Sequence, residues 1–414
     1  MKIHIASNGC AILRHETYRI SKFFGLNNHE EVKDPQLADI IVFTGCGVTE
    51  EGELEALSII DSLIAKAQPS VKFVVAGCLP KIAKEQILAH VPNAILIGYE
   101  ESYKFNELVD ATTKLEDVCY NYGHPFKYFY DEEVFEDDAE LLAVQKMDKL
   151  LGTDIIERQY NYTTPRHYLW KESDVFQIRV AYGCGGNCSF CATKLAIGSF
   201  RSVPQENLYE QFREGLKAGY KRFVLVGDEI GFYGIDINFD FASFIDGLYA
   251  IAPDVEIAIR YIYPDMLVKY YPRLKKYFQT GYIFYFCSAI QSASPRILRM
   301  MNRNPNIGDF VECIKDIRKN NYPVVMHSQI IVGFPSESDE DFLMTLKCLM
   351  DCDFDYFNVN MFSMRSNTKA CIYRDLQVDN DIIKRRWELM KSYLRLCQKS
   401  RLFDTIRHHV INKQ

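Results

Sequence analysis

The sequence predicts an α/β protein built from two parallel sheets, and two stretches of alternating pattern lead to this prediction. Over residues 1–110, short apolar runs rich in Ile and Val alternate with amphipathic stretches, and the same alternation resumes at residue 174 and continues to about 375. A strand followed by a helix, repeated, is the pattern of a parallel sheet covered by helices. Hydrophobic residues make up 48% of the 414-residue chain and charged residues 25%, as in ordinary globular proteins.

The first stretch contains four predicted strands, KIHIA, DIIVFT, KFVVAG and AILIG. Amphipathic segments separate them at 14–26, 50–68 and 83–91. Repeated strand–helix units in so short a stretch predict one small parallel domain, flavodoxin-like or Rossmann-like in architecture. We therefore place an N-terminal domain at residues 1–110.

The second stretch contains six predicted strands, FQIRVAYG, RFVLVG, EIAIRYIY, YIFYFCSAIQ, PVVMHSQIIVG and FDYFNVNMF. Helical patterns lie between them at 205–218, 295–302, 308–320 and 339–351. Six such units in succession predict a partial (β/α)6 TIM-like barrel over residues 174–375, with its active site at the carboxyl ends of the strands.

Two further segments flank the barrel. Residues 111–173 break the alternation with an acidic, Tyr-rich linker or insertion. This segment is either a solvated linker with one packed helix or a region that recognises a substrate or partner. Residues 376–414 form a predicted basic, helical C-terminal segment, and the simplest interpretation of its charges is the solvated face of a packed helix.

Composition narrows the class of protein. No apolar run is long enough to cross a membrane, and the N-terminus has no signal-peptide pattern, so we expect a cytoplasmic protein with no membrane partner. Thirteen cysteines without an export signal indicate free, buried or metal-bound thiols. The net charge of −7 argues weakly against a large phosphate-binding surface and leaves a local basic patch open.

The segment YGCGGNCSFCATK follows the first barrel strand and places Cys184, Cys188 and Cys191 in a C-x3-C-x2-C spacing. Three thiols so close together suggest a metal site. A structural zinc site would need a fourth ligand, and no second C-x2-C or H-x3-H follows, while chance clustering remains an alternative. A 4Fe–4S cluster held by three thiolates, with one iron open to a small molecule, fits the spacing best.

Three more cysteines each follow a predicted strand of the N-terminal domain: Cys10, Cys46 and Cys78. Because the carboxyl ends of parallel strands lie at one edge of a sheet, these residues can converge. Buried structural cysteines are the alternative interpretation. A glycine precedes each of the three, and glycine lets the backbone turn tightly around a bulky ligand, which favours a shared site.

The first cysteine motif resembles that of the radical S-adenosylmethionine (SAM) enzymes, with Phe190 where that superfamily usually has an aromatic residue. The whole pattern resembles the methylthiotransferase family of these enzymes, whose N-terminal domain also carries three cysteines. Further segments continue the resemblance in order: GDEIGFYGID (227–236), IRYIYPDM (259–266), IQSASPRILRMMNR (290–303), IIVGFPSESDEDF (330–342) and SMRSNTKA (363–370).

The resemblance implies two 4Fe–4S clusters, a radical SAM cluster at Cys184, Cys188 and Cys191 and an auxiliary cluster at Cys10, Cys46 and Cys78. Sulfide or polysulfide is implied on the auxiliary cluster, and SAM is implied to act both as methyl donor and as the source of a radical that removes a hydrogen atom from the substrate. An electron donor such as a flavodoxin or ferredoxin is implied as a partner.

No catalytic residue is assigned beyond the cluster ligands, and the resemblance implies a set of SAM contacts. Gly227, Asp228 and Glu229 correspond to residues at the amino end of SAM, and Gln291 and Ser292 to residues near its ribose and carboxylate. Each of these positions is open to the simpler interpretation of a turn or core residue. The implied contacts are Phe190, Gly227, Asp228, Glu229, Gln291, Ser292, Arg303, Gly333, Phe334 and Pro335.

Departures from the family pattern bear on the substrate. Members that modify tRNA usually end in a small TRAM β-barrel, whereas this sequence ends in a helical pattern, so we expect no TRAM domain. The segment IGSFRSVP keeps only Arg201 of a region that is Arg-rich in tRNA enzymes, Ala293 replaces a usual Gly, and Gln329 stands where an acidic residue is frequent. In the other direction, CGGNCSFCATKLAIG resembles the branch that modifies threonylcarbamoyl-adenosine in tRNA.

We therefore expect a methylthiotransferase that inserts a methylthio group at an unactivated C–H bond of a peptide or protein side chain, such as a ribosomally synthesised precursor peptide. A tRNA adenosine of the threonylcarbamoyl type is the alternative substrate. A non-catalytic iron–sulfur carrier or sulfur-relay scaffold is the alternative from another class of protein.

Overall fold

The computed structural model describes residues 1–118, 146, 149–150 and 175–411. Two parallel sheets dominate this part of the chain, and the four strands predicted in the first stretch and the six predicted in the second are all present. The α/β fold class is therefore confirmed. The predicted linker or insertion at 111–173 lies, from residue 119 on, almost entirely outside the described residues.

The N-terminal sheet has five parallel strands in the order β2-β1-β3-β4-β5. The strands are β1 (Lys2–Ser7), β2 (Glu30–Glu31), β3 (Ile40–Gly45), β4 (Lys72–Gly77) and β5 (Ile95–Gly98). The helices are α1 (Ala11–Leu26), α2 (Glu50–Lys66), α3 (Leu79–Ile82), α4 (Lys84–His90) and α5 (Lys104–Leu108). Every residue of β3 is buried, because helices cover both faces of the sheet.

The second sheet has six parallel strands in the order β13-β12-β11-β10-β9-β6, as a partial barrel requires. Its strands are β6 (Val175–Arg179), β9 (Arg222–Val226), β10 (Glu256–Arg260), β11 (Ile283–Cys287), β12 (Val325–Val332) and β13 (Tyr356–Met361). A short antiparallel pair, β7 (Ala181–Tyr182) and β8 (Arg201–Ser202), flanks the cysteine motif.

Helices cover one face of this sheet and form the largest core of the molecule with it. They are α7 (Gln205–Lys217), α8 (Phe241–Ile251), α9 (Pro264–Thr280), α11 (Gly308–Lys319), α12 (Asp339–Cys352) and α13 (Asn380–Ile411). Two short helices, α6 (Thr193–Ile197) and α10 (Pro295–Met300), belong to smaller clusters near the ends of the strands. The basic α13 packs on β13, where the Trp387 indole donates to the Val359 carbonyl and Arg386 forms a buried ion pair with Glu337.

Alternation along the strands puts polar residues on the opposite face. Phe176 and Ile178 of β6 join the helix-covered core, so Gln177 and Arg179 face the other way, as do Arg260 of β10 and His327 of β12. Burying these polar and charged side chains costs free energy unless polar neighbours form hydrogen bonds or ion pairs with them. This face, which also carries a smaller apolar cluster, is therefore a candidate for function.

The two sheets meet near the carboxyl ends of their strands. Leu13, Cys78 and Tyr99 of the N-terminal part pack against Ala196 and Ile197 of α6 in one apolar cluster. The His15 ring on α1 hydrogen-bonds the Gln177 side chain, and Arg365, after β13, pairs with Glu53 of α2. Among the described helices, none is both long and apolar enough to span a bilayer.

Two helical glycines form a matched pair for testing the packing. A methyl group at Gly215 of α7 would lie 2.5 Å from Phe223 Cε1 and 3.0 Å from the Phe176 ring, whereas at Gly25 of α1 no described atom lies within 4 Å. We expect Gly215→Ala to lower the free energy of unfolding by about 1–3 kcal/mol through overpacking. Gly25→Ala should raise it by about 0.5 kcal/mol. Urea unfolding followed by circular dichroism measures both, and changes of the same sign would contradict this packing.

Two buried histidines predict a loss of stability in mild acid. Burial lowers the pKa of His15 to about 4 and that of His327 to about 3, with nearby arginines adding to both shifts. An unfolded histidine titrates near 6.5, so below that pH the unfolded chain binds more protons than the folded one. Stability therefore falls as pH falls, by about 1.4 kcal/mol per histidine between pH 7.5 and 5.5. Urea titrations of the iron-free chain test this, and His327→Gln should remove about half of the combined effect.

Candidate active site

The N-terminal cysteine set, Cys10, Cys46 and Cys78, lies at the carboxyl ends of the adjacent strands β1, β3 and β4. Cys10 is exposed before α1, Cys46 is half-buried, and Cys78 is 5% exposed at the start of α3. Burial, together with the neighbouring Cys10, raises the pKa of Cys46 to about 11. Burial also raises the pKa of Cys78, and both other thiols of the set add to that shift. The fold thus brings the three thiols into one group.

The glycine before each of these cysteines has a packing role. A Cβ at Gly9 or Gly77 would overlap Leu13 of α1, and a Cβ at Gly45 would lie 2.9 Å from Leu79 of α3. Gly77 also has a φ of +91°, which side-chain-bearing residues rarely adopt. These glycines let the following helices start close to the sheet edge, and this close approach is what groups the cysteines.

The barrel cysteine set, Cys184, Cys188 and Cys191, lies in the loop between β7 and α6. The Gly186 N–H donates to Cys184 Sγ at 3.2 Å. Burial, together with the nearby Glu229 carboxylate, raises the pKa of Cys184 to about 12, and burial raises the pKa of Cys191. The other two thiols act on Cys184 as well, so this set is also one group.

Two side chains from later segments contact Cys188. Arg303 Nη1 lies 3.3 Å from its Sγ, and the Tyr263 hydroxyl lies 3.8 Å from it. The Arg303 guanidinium sits 4.2 Å from the centre of the Tyr263 ring and donates to the Ala289 carbonyl. The Arg303 guanidinium is therefore held as a hydrogen-bond donor against the Cys188 sulfur. Tyr263 was missed in the sequence, although it belongs to the IRYIYPDM segment.

The GDE segment supports the barrel cysteine loop. Asp228 Oδ2 accepts the Gly183 N–H at 2.9 Å, and burial raises the pKa of Asp228. Glu229 Oε1 accepts the Gly231 N–H at 2.7 Å, and burial raises the pKa of Glu229 to about 8. Both carboxyl groups therefore have structural partners next to the position that we assigned to the amino end of SAM.

Arg179 lies between the two cysteine sets and was not singled out from the sequence. Its guanidinium is 4.0 Å from the centre of the Tyr182 ring and 5.7 Å from that of Tyr99, and it lies 3.7 Å from Asp228. Its charge opposes the burial that raises the pKa of Cys78, while Asp228 adds to that rise. The position of Arg179 could have indicated a functional role from the sequence, because it lies five residues before Cys184, on the face of β6 away from the helices.

The structure places Gln291 and Ser292 differently. Gln291 has a φ of +65°, and its N–H and carbonyl bond Gln329 and Ile331 of β12. Its side-chain Oε1 is buried, with no hydrogen-bond partner among the described residues, and is therefore available to a ligand. Ser292 is tied to α12, since its hydroxyl lies 3.3 Å from Thr345 Oγ1.

The GFP segment forms part of an aromatic cluster. Phe334 is fully buried, with ring centres 5.1 Å from Phe362 and 6.5 Å from Phe190, so the structure brings two of the predicted SAM contacts together. The Gly333 N–H donates to Glu337 Oε2 at 2.8 Å, and its φ of +77° suits only glycine there. Pro335 beside them is buried.

The chemistry of the two sets fits clusters better than single ions. Within the described part of the chain, no three His, Cys, Asp or Glu side chains are arranged to hold one metal ion. A 4Fe–4S cubane attaches each thiolate to a different iron, so its ligands need not converge on one point. Guanidinium groups lie beside Cys188 and between the sets, and positive charge there suits a bound cluster that carries anionic sulfur ligands.

Comparison with known families agrees with both halves of the structure. Residues 178–349 match the radical SAM superfamily, and residues 2–98 match a family described as uncharacterized protein family UPF0004. A probable threonylcarbamoyladenosine tRNA methylthiotransferase of Pyrococcus abyssi is 27% identical over 94% of this chain and 83% of its own. A ribosomal protein uS12 methylthiotransferase of Natranaerobius thermophilus is 26% identical over 95% of this chain and 83% of its own.

Solved structures share the fold at low identity. The cobalamin-dependent SAM radical enzyme OxsB superposes with a TM-score of 0.51 at 15% identity, over 93% of this chain and 56% of that one. The radical SAM methyltransferase TsrM of Kitasatospora setae gives 0.51 at 10% identity, over 87% and 72%. With a UPF0004 domain followed by a radical SAM domain, and with relatives named methylthiotransferases along nearly its whole length, the chain belongs to the methylthiotransferase family of radical SAM enzymes.

Proposed function

We propose that this enzyme inserts a methylthio group at an unactivated C–H bond, using one 4Fe–4S cluster at each cysteine set. The observation that carries the proposal is the meeting of the two sets at the junction of the sheets, with Arg179 and Asp228 between them. The radical SAM superfamily implies a 4Fe–4S cluster and SAM. We propose in addition that a second cluster is present and that it carries sulfide or polysulfide. A flavodoxin or ferredoxin is the proposed electron donor.

The chain's own residues have distinct tasks in it. Cys184, Cys188 and Cys191 hold one cluster, and Cys10, Cys46 and Cys78 hold the other. When bound, these groups and SAM supply the radical and methyl-transfer chemistry. We further propose the domain limits 1–110, 111–173, 174–375 and 376–414.

Residues around the barrel set orient SAM and keep water out. The Oε1 of Gln291 would accept a hydrogen bond from SAM, and Asp228 and Glu229 would fix the loop that receives its amino end. The rings of Phe190 and Phe334 form an apolar wall, with Gly333 and Pro335 next to it. Arg303 donates a hydrogen bond to Cys188 Sγ and fixes the position of that ligand.

For the substrate we propose an adenosine of tRNA, with the threonylcarbamoyl derivative as the first candidate. Our expectation from the sequence was a peptide, but the relatives support the tRNA alternative better. Two Pyrococcus relatives and one from Methanocaldococcus jannaschii carry threonylcarbamoyladenosine tRNA in their names. A protein side chain is the second candidate, because other relatives are named for ribosomal protein uS12.

The substrate class can be measured directly. The enzyme is reconstituted without oxygen and given reductant, sulfide and methyl-labelled SAM with RNA and protein fractions of its own cells. We expect the label in tRNA, with salt-sensitive tRNA binding, because phosphate contacts release counterions. Label in a polypeptide would establish the second candidate instead. Formation of 5′-deoxyadenosine with label in neither fraction would contradict methylthio transfer to both classes.

Because the two cysteine sets have different proposed functions, substitutions in them should affect methylthio transfer and SAM cleavage separately. Cys78→Ala should lower the rate of methylthio transfer at least about 100-fold and should lower the bound iron by about half. Formation of 5′-deoxyadenosine from SAM should persist, because the barrel set is intact. Cys352→Ala, at an equally buried cysteine on α12, is the matched control and should leave both activities unchanged. Methylthiolated product from the Cys78 variant would refute the two-cluster proposal.

A further inference from the structure

One segment links the two cysteine sets, and the sequence assigned it no role. Residues 365–370, here called the linking segment, follow β13 within the SMRSNTKA motif. At one end Arg365 forms an ion pair with Glu53 of α2, and the two side chains are 10% and 14% exposed. At the other end the Ala370 N–H donates to the Ser189 carbonyl at 2.8 Å, and Ser189 lies between Cys188 and Cys191.

The Arg365 end of this segment is connected to the N-terminal cysteine set. Glu53 lies in the first turn of α2, which Thr49 caps by accepting the Gly52 N–H at 3.1 Å. Asn8, two residues before Cys10, accepts the Cys46 N–H at 2.9 Å and donates to the Gly52 carbonyl at 3.0 Å. The loops of Cys10 and Cys46 and the helix that bears Glu53 therefore form one hydrogen-bonded unit.

The Ala370 end of the segment is attached to the barrel set by packing and hydrogen bonds. Ala370 is fully buried beside Met301 and Phe334. Ser189 is itself fixed, since its N–H donates to the Met301 carbonyl at 2.9 Å and its hydroxyl to the Met300 carbonyl at 2.8 Å. The cysteine loop thus cannot shift without moving this packed group.

Between its ends the linking segment is braced internally. The Arg365 carbonyl accepts hydrogen bonds from the Thr368 hydroxyl at 2.7 Å and from the Cys371 thiol at 3.2 Å. The turn from Arg365 to Cys371 is therefore short and closed by hydrogen bonds to one carbonyl.

We propose that the linking segment sets the separation between the two bound clusters, and that Arg365 is the positioning residue that joins it to the N-terminal set. This inference rests on the proposed function, in which each set holds a cluster. Transfer between two sites needs a near-attack geometry, and a displacement of about 1 Å costs on the order of 100-fold in rate. Arginine suits the position because its planar fork holds a carboxylate in one orientation, which lysine does not.

The test compares the reconstituted wild type with Arg365→Met, Arg365→Lys and Glu53→Gln. Two quantities are measured: the magnetic dipolar interaction between the two reduced clusters by electron paramagnetic resonance, and the ratio of methylthiolated product to 5′-deoxyadenosine. For Arg365→Met we expect a weaker, more heterogeneous dipolar interaction and a ratio lowered at least about tenfold, with 5′-deoxyadenosine formation within about twofold of wild type. Arg365→Lys should recover only part of both.

Arg318→Met is the matched control. Arg318 also forms a shielded ion pair, with Asp355 at 2.6 Å, but at the amino end of β13, away from both cysteine sets. In Arg318→Met the dipolar interaction and the ratio of methylthiolated product to 5′-deoxyadenosine should both stay at wild-type values. If Arg365→Met does not load both clusters, Glu53→Gln removes the same ion pair from the other side and is assessed by the same two quantities.

An unchanged dipolar interaction and an unchanged ratio in the variant that lacks the ion pair would overturn the proposal. Failure of the proposed function is distinguishable from this result. A wild type that makes 5′-deoxyadenosine without methylthiolated product would refute the function, whereas the dipolar interaction would still decide whether Arg365 positions the clusters.

Discussion

The buried guanidinium of Arg179 is the charge around which the candidate active site is arranged. Only 1% of this residue is exposed, and burying a cation is costly unless opposite charge and aromatic faces surround it. Asp228 supplies the charge and Tyr182 and Tyr99 supply the faces, and the three come from different segments of the chain. These requirements hold the first barrel strand, the GDE loop and the end of the N-terminal sheet together.

Parallel topology explains why the three thiols of the N-terminal set, so distant in sequence, lie in one group. All strands of one parallel sheet end at the same edge, so three cysteines in separate strand–helix units become neighbours. The second sheet presents its own carboxyl ends, and with them its cysteine loop, to the same junction. The apolar cluster of Leu13, Cys78 and Ile197 closes the junction from one side, and the Arg365–Glu53 pair closes it from another.

This arrangement separates the roles of polar and apolar residues. The helix-covered face of the barrel sheet carries most of the hydrophobic core, whereas the opposite face carries Gln177, Arg179, Arg260 and His327. This second face combines a smaller apolar cluster, which includes Val224, Val226 and Phe284, with buried hydrogen-bonding groups. Phe334, just after the end of β12, belongs to a smaller cluster with Ile297, Met301, Ile331 and Ala370.

The sequence alone determined the local features of this protein. Periodicity predicted ten strands, and the spacing of the cysteines and the glycines before them predicted both cysteine sets. The succession of motifs along the chain identified the family. These features are local, because hydrophobic period and turn chemistry depend on residues close in sequence. Only the tertiary structure decided what crosses between segments. It assigned the glycines to the close approach of Leu13 and Leu79, tied Ser292 to α12, and brought Arg365 to Glu53, 312 positions away. A side chain's partner across that distance depends on how two sheets pack, and no local pattern encodes it.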